Sequence, residues 1–142
     1  VKGVSRFTIV VKSNKEKIIK VVNHINKLID VLGAFLYEED EIYFQEIALY
    51  KLPTKIFLKG NLVEKIIIRK YGAKILKIEE DHIIIQKTGT KVGTQKLYDE
   101  LKKFGEILEF ARSGRVALSK KKRKTVNFLR QLQKTKSNRL NI

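Results

Sequence analysis

The sequence predicts an α+β fold built from two modules of the β-α-β-β-α-β order, the first present only as its second half, followed by a basic C-terminal tail. Three observations carry this. Short β-branched runs alternate with runs of helical period. The order β-α-β-β-α-β is readable in full between 46 and 118, and only as β-α-β before that. The charge is divided very unevenly. The 142-residue chain has a net charge of +16. Residues 1–110 hold 20 Lys and Arg against all 15 Asp and Glu, a net of +5, while 111–142 hold 11 Lys and Arg and no acid. The globular part is thus only mildly basic, and the excess describes a tail.

Taken in order, residues 5–11 (Ser-Arg-Phe-Thr-Ile-Val-Val) read as a strand. Ser13-Asn14 can cap a helix over 15–29, with Glu16 in its first turn. Its apolar positions Ile18, Ile19, Val21, Val22, Ile25, Leu28 and Ile29 are read as one face, and Lys17, Lys20, His24 and Lys27 as the other. A strand over 31–37 follows, closed by the acidic run 38–41. The second module opens with a strand over 46–52, ended by Pro53. Asn61 and Glu64 have capping-box spacing, and the helix they open carries Val63, Ile66, Ile67 and Tyr71 inward before stopping at Gly72. A hairpin over 73–78 and 82–86, a loop over 88–90, a helix over 93–103 stopped by Gly105, and a strand over 107–111 complete it. The order over 46–118 is the split βαβ, or ferredoxin-like, motif. The division expected is 1–42 for the half module, 45–118 for the complete one, and 119–142 for a disordered basic tail. A chain that starts at Val1, holds no methionine and shows half a module is expected to be N-terminally incomplete.

Composition removes several function classes. With no cysteine, disulfides, zinc ribbons and thiol catalysis are excluded. Two histidines make a histidine-rich metal site untenable, and no apolar run reaches the roughly 18 residues of a membrane span. The stretch Thr88-Gly89-Thr90-Lys91-Val92-Gly93 has a phosphate-loop look but lacks the closing Gly-Lys-Ser/Thr, so it reads as a loop whose Thr or Gly caps the next helix. The acidic runs 38–41 and 79–81 lack the alternating spacing of a calcium loop and read as solvated turns. His24 lies on a lysine face, and His82 opens a strand with no serine, aspartate or second histidine at a suggestive spacing. General acid–base work needs a partnered, perturbed group. No catalytic residue and no metal ligand is assigned.

One segment is more specific. Residues 107–119, Ile-Leu-Glu-Phe-Ala-Arg-Ser-Gly-Arg-Val-Ala-Leu-Ser, resemble the closing signature of the small, regulatory subunit of acetolactate synthase. Five further segments agree in order: VSRFTIVV (4–11), INKLIDVL (25–32), EIALYKL (46–52), YGAKILKI (71–78) and IIIQKTGT (83–90). The resemblance covers residues 4–119. It implies that the modules are of ACT type and that the chain has no active site. It implies a homodimer formed through the ACT domains and a small amino-acid effector, valine or a relative, bound between them. The loop that binds the effector in this family lies before Val1, so no effector residue is assigned here. The implied partner is a catalytic large subunit carrying thiamine diphosphate, a divalent metal (Mg) and FAD. The role implied is allosteric regulation of branched-chain amino-acid (valine and isoleucine) biosynthesis.

Residues Arg112, Ser113, Gly114 and Arg115 are the candidates for a partner interface. Gly114 permits a turn closed to other residues, and two fork-shaped cations beside it suit carboxylates on a partner. The alternative reading is a strand-end turn with solvated arginines. The composition, with 18 Ile and with Lys outnumbering Arg 24 to 7, is that of an AT-rich genome. It suits a plastid (chloroplast) or, if bacterial, a cytoplasmic protein. The competing functional class is a basic ferredoxin-like nucleic-acid binder. RNA-binding versions stack bases on strand aromatics, and the aliphatic strands here do not follow that pattern.

Overall fold

The computed structural model describes residues 3–57 and 65–121, the side chains of Ile66 and Ile68 excepted. The chain divides into two compact units, Phe44–Val116 and a second formed by Val1–Tyr43 with the chain from Ala117 onward.

The unit containing the N-terminal residues is built on α1 (Lys15–Asn26). Asn14 caps it, its Oδ1 accepting the Lys17 N–H at 3.0 Å. The helix ends three residues earlier than its apolar period suggests. The reason lies in Asn26, whose side chain donates to the Ala34 carbonyl at 3.2 Å and accepts the Ala34 N–H at 2.7 Å. That pair fastens the returning chain to the helix end. The acidic run forms a 3₁₀ turn, Glu39–Glu41, closed as a capping box by the Glu38 N–H donating to Glu41 Oε2 at 3.1 Å.

The strands expected over 5–11 and 31–37 do not join the sheet. A β-branched run supplies strand propensity, but a strand exists only where a neighbour accepts its backbone bonds. No described residue of this unit is buried, and α1 buries none of its apolar face.

The other unit is organised around β1 (Ile42–Pro53), longer than expected at its start. It pairs antiparallel with β3 (His82–Gly89), from Glu46 opposite Gly89 to Pro53 opposite His82. On its other side it pairs antiparallel with β4 (Glu109–Arg112), from Ala48 opposite Arg112 to Lys51 opposite Glu109. β2 (Lys74–Ile78) lies outside β3, with a register shift between Ile75 and Lys77. The order β2-β3-β1-β4 is that of the split βαβ motif expected from the sequence. A fifth strand, β5 (Val116–Ser119), also pairs with β1 and was not foreseen. The last strand expected over 107–111 is shifted to 109–112, although the Leu108 N–H already reaches the Lys51 carbonyl at 2.9 Å.

Period-two alternation decides which face is covered. Ala48, Tyr50 and Leu52 of β1 and Ile83 and Ile85 of β3 are buried, while Ile47 and Leu49 stay partly exposed on the opposite face. The helical layer adds Ile56 from α2 (Thr54–Phe57), Ile67 from α3 (Lys65–Lys70, wound as a π-helix), and Leu97 and Leu101 from α4 (Lys91–Lys102). Each large side chain in this cluster contributes about 1.5–3 kcal/mol of gross burial. Asn61, Val63 and Glu64 lie outside the described residues. Gly72 takes φ 60° after α3, as its stop-residue role requires. β3 runs on to Gly89, so the expected loop shrinks to Thr90, which is the cap of α4: its Oγ1 accepts the Gly93 N–H at 3.2 Å. The phosphate-loop look is therefore accounted for by a strand end and a helix cap.

Candidate functional site

The four candidate interface residues fall where the chain passes from β4 to β5. Ser113 holds that passage to β1. Its N–H donates to the Ile47 carbonyl at 2.8 Å, and its Oγ accepts the Ile47 N–H at 2.9 Å. Its hydroxyl donates to the Gly114 carbonyl at 2.9 Å. The backbone at Gly114 does not have positive φ, and a Cβ there would meet open space. The glycine-only turn expected at this position is not formed, because the Ser113 side chain does the work of keeping the strand paired.

The two arginines have different surroundings. Arg112 Nη1 lies 3.6 Å from Glu46 Oε1, and its side chain is 27% exposed. Glu46 is buried, 7% exposed, and also accepts the Thr94 hydroxyl at 2.9 Å. The Tyr50 hydroxyl donates to the Thr94 carbonyl at 2.7 Å. Burial drives the Tyr50 hydroxyl well above the usual tyrosine range, so it remains a protonated donor. The Tyr50 ring stacks tilted on Phe110 at 5.0 Å, and the Arg112 guanidinium lies 5.7 Å from the Phe110 centroid. Arg112 is thus engaged within its own unit, tying β4 to β1 and, through Glu46 and Thr94, to the first turn of α4. Arg115 is half-buried, with its guanidinium 4.2 Å from the Phe44 ring centroid.

Sequence reasoning missed the Glu46–Thr94–Tyr50 network. The available signal was phase: Glu46 falls on the same side of β1 as Ala48, Tyr50 and Leu52, where a carboxylate needs a partner. It also missed a partner of His82. The neighbouring Asp81 contacts the His82 Nδ1 at 2.6 Å, and that hydrogen bond holds the Asp81 carboxyl below its usual value. The pair sits in the β2–β3 turn, beside the bonds Glu79 N–H to His82 C=O at 2.8 Å and Thr54 N–H to Asp81 C=O at 3.1 Å. It fastens a turn. His24 is exposed on α1.

Among the described residues, no group of three or more His, Cys, Asp or Glu is placed to hold a metal ion. Among them also, no helix is long and apolar enough to cross a membrane. An open groove lined by Lys15, Leu36, Glu38, Asp40, Glu41 and Lys121 is closed electrostatically on itself, with Lys15 2.9 Å from Glu38 and Lys121 3.9 Å from Glu41.

The family model described as "Small subunit of acetolactate synthase" matches residues 45–121, more than half of the chain. The chain belongs to this family. The acetolactate synthase small subunit of Mycolicibacterium smegmatis is 31% identical over 119 residues, covering 84% of this chain and 68% of that protein. Acetolactate synthase small subunit 2, chloroplastic, of Arabidopsis thaliana is 31% identical over 116 residues, covering 82% of this chain and 24% of that protein. The crystal structure of the acetolactate synthase small subunit from Thermotoga maritima shares the fold, with a TM-score of 0.65, 20% identity, and coverage of 79% of this chain and 68% of that one. The stretch 107–119 lies within the matched residues and contains β4 and β5.

Proposed function

We propose that this chain is the regulatory subunit of an acetolactate synthase. It assembles with a separate catalytic large subunit, raises its activity, and brings it under feedback control by valine or a related amino acid. The observation that carries the reading is the family match over 45–121, on a fold shared with a solved small subunit. The chemistry stays with the catalytic subunit: thiamine diphosphate, magnesium and FAD bind there, and this chain makes no acetolactate by itself.

Several finer points belong to the same proposal. Residues 1–42 are read as the second half of an ACT domain. Two features support this, an α1 whose apolar stripe is at most half-buried and an extended 5–11 segment outside the sheet. The chain self-associates through that region. The basic tail beyond Lys121 is dispensable for activation. The location is a plastid or a bacterial cytoplasm; a chloroplastic and a bacterial relative match with the same identity, 31%. The nucleic-acid reading gains nothing from the structure, since the open face at the sheet centre carries Ile47 and Leu49 and not stacking aromatics.

The test is co-purification with a candidate catalytic subunit, followed by acetolactate formation with and without valine. Complex formation with raised turnover supports the proposal, and a catalytic subunit indifferent to the chain removes it.

A further inference from the structure

Arg112 and Arg115 are three residues apart, and on a regular strand such residues point to opposite faces. Here they do not. Arg112 Nη1 lies 3.6 Å from Glu46 Oε1, and the Arg115 guanidinium lies 4.2 Å from the Phe44 ring centroid. Phe44 and Glu46 alternate along β1, so they share the face on which Ala48, Tyr50 and Leu52 are buried. Both guanidiniums are therefore on one face of the sheet.

Ser113 is what brings them there. In an antiparallel ladder, the residue opposite Ile47 donates its N–H to the Ile47 carbonyl and accepts the Ile47 N–H on its own carbonyl. Ser113 makes the first bond with its backbone, at 2.8 Å, and the second with its hydroxyl, at 2.9 Å. The hydroxyl thus takes the place of the Ser113 carbonyl. An extra residue is accommodated before β5 resumes pairing with β1, and the side-chain phase inverts, as at a β-bulge. Gly114 sits at that bulge with no internal reason to be glycine. Its φ is not positive, and no described atom stands within 4 Å of a Cβ built there. A bare backbone between two arginines leaves room for a second backbone to approach closely.

We propose that Arg112 and Arg115 together clasp one carboxylate side chain of the catalytic subunit, whose backbone crosses over Gly114. This names the contact behind the regulatory reading and rests on that reading. The span fits. Phe44 and Glu46 are two strand residues apart, roughly 7 Å, a gap that one carboxylate bridges with charge-assisted bonds of about 2.8 Å on each side. Arg112 already takes a carboxylate, Glu46, on its buried side, and its side chain is still 27% exposed. A guanidinium has donors on both edges, so it can serve two carboxylates at once. Stacking on Phe44 fixes the plane of the Arg115 fork.

The test is the affinity of the full chain for a purified catalytic subunit, by titration calorimetry. Gly114→Val puts a branched side chain in the partner's path and should weaken binding about tenfold, with an unchanged urea midpoint. Arg115→Lys keeps the charge, loses the fork, and should also weaken binding about tenfold. In that variant's complex a carbodiimide, which joins an amine to a carboxylate in contact, should link position 115 to an Asp or Glu of the catalytic subunit, located by mass spectrometry. If Gly114→Val lowers the urea midpoint, Arg115→Lys and its cross-link decide. Two results overturn the site alone: variants that bind as tightly as the unaltered chain, or a complex with no link from position 115. An unaltered chain that binds no catalytic subunit removes the regulatory reading, and the site with it.

Discussion

Arg112 and Arg115 are three residues apart and alike in sequence, but their environments ask different things of them. Arg112 faces a carboxylate that is 7% exposed, so removing it strands a buried charge. Arg112→Ala is expected to destabilise the protein by about 1–3 kcal/mol, seen as a lower urea midpoint at neutral pH. Glu46 keeps its Thr94 bond, which holds the loss below that of a fully orphaned charge. Arg115 lies over an aromatic ring on a half-buried site. Arg115→Ala should cost no more than about 1 kcal/mol while weakening association with the catalytic subunit. An unchanged binding isotherm for that variant would remove Arg115 from the interface. Gly105 supplies a third residue-scale test. Its φ is 157°, and a Cβ there would stand 2.9 Å from Ile56 Cδ1. Gly105→Ala should therefore cost about 1–3 kcal/mol by overpacking, and Ile56→Val in the same chain should return part of it.

Between elements, the tie from the end of α3 to α4 is open to acid. The Tyr71 hydroxyl donates to Glu100 Oε2 at 3.0 Å, and Lys103 and Lys70 lie 3.3 and 3.7 Å from its carboxylate. The Tyr71 bond first, and then Lys103, hold the Glu100 carboxyl below the ordinary 4.5. A carboxyl lowered in the folded state contributes stability that is complete above its unfolded value and drains as pH falls through the folded one. Stability should thus decline from about pH 4.5 downward, and Tyr71→Phe should flatten that decline; urea midpoints between pH 7 and 3 measure it. At the other end of the module, Lys120 N–H still donates to the Glu41 carbonyl at 2.8 Å. Truncation after Lys121 should leave both the fold and activation intact, whereas truncation after Arg115 deletes β5 and should lose both.

What the sequence made legible follows the same division by range. Alternation in β1, the period of α4, the stop at Gly72 and the order β2-β3-β1-β4 are local patterns, and they were readable. The burial of Glu46 had a local signal in its phase on β1, but its partner Thr94 had none, being 48 residues away. β5 escaped because Ser113 holds Ile47 through both its N–H and its Oγ, which breaks the strand's phase without ending its pairing. The runs 5–11 and 31–37 have strand composition, but pairing is not a local property, and these two find no place in the sheet. Of the interface candidates, the position was legible; that Arg112 is engaged by Glu46 was not.

For the whole molecule, the two units carry unequal shares. Phe44–Val116 holds the buried core and most of the family match, and the unit around α1 holds apolar surface with no fully buried residue among those described. A chain of this kind is expected to act through other chains. The most direct measurement is acetolactate formation by a purified catalytic large subunit, titrated with this chain. The account predicts no product from this chain alone, a saturable rise in turnover as it is added, and a stable complex on gel filtration. Turnover that stays flat across the titration, with no complex formed, would contradict it.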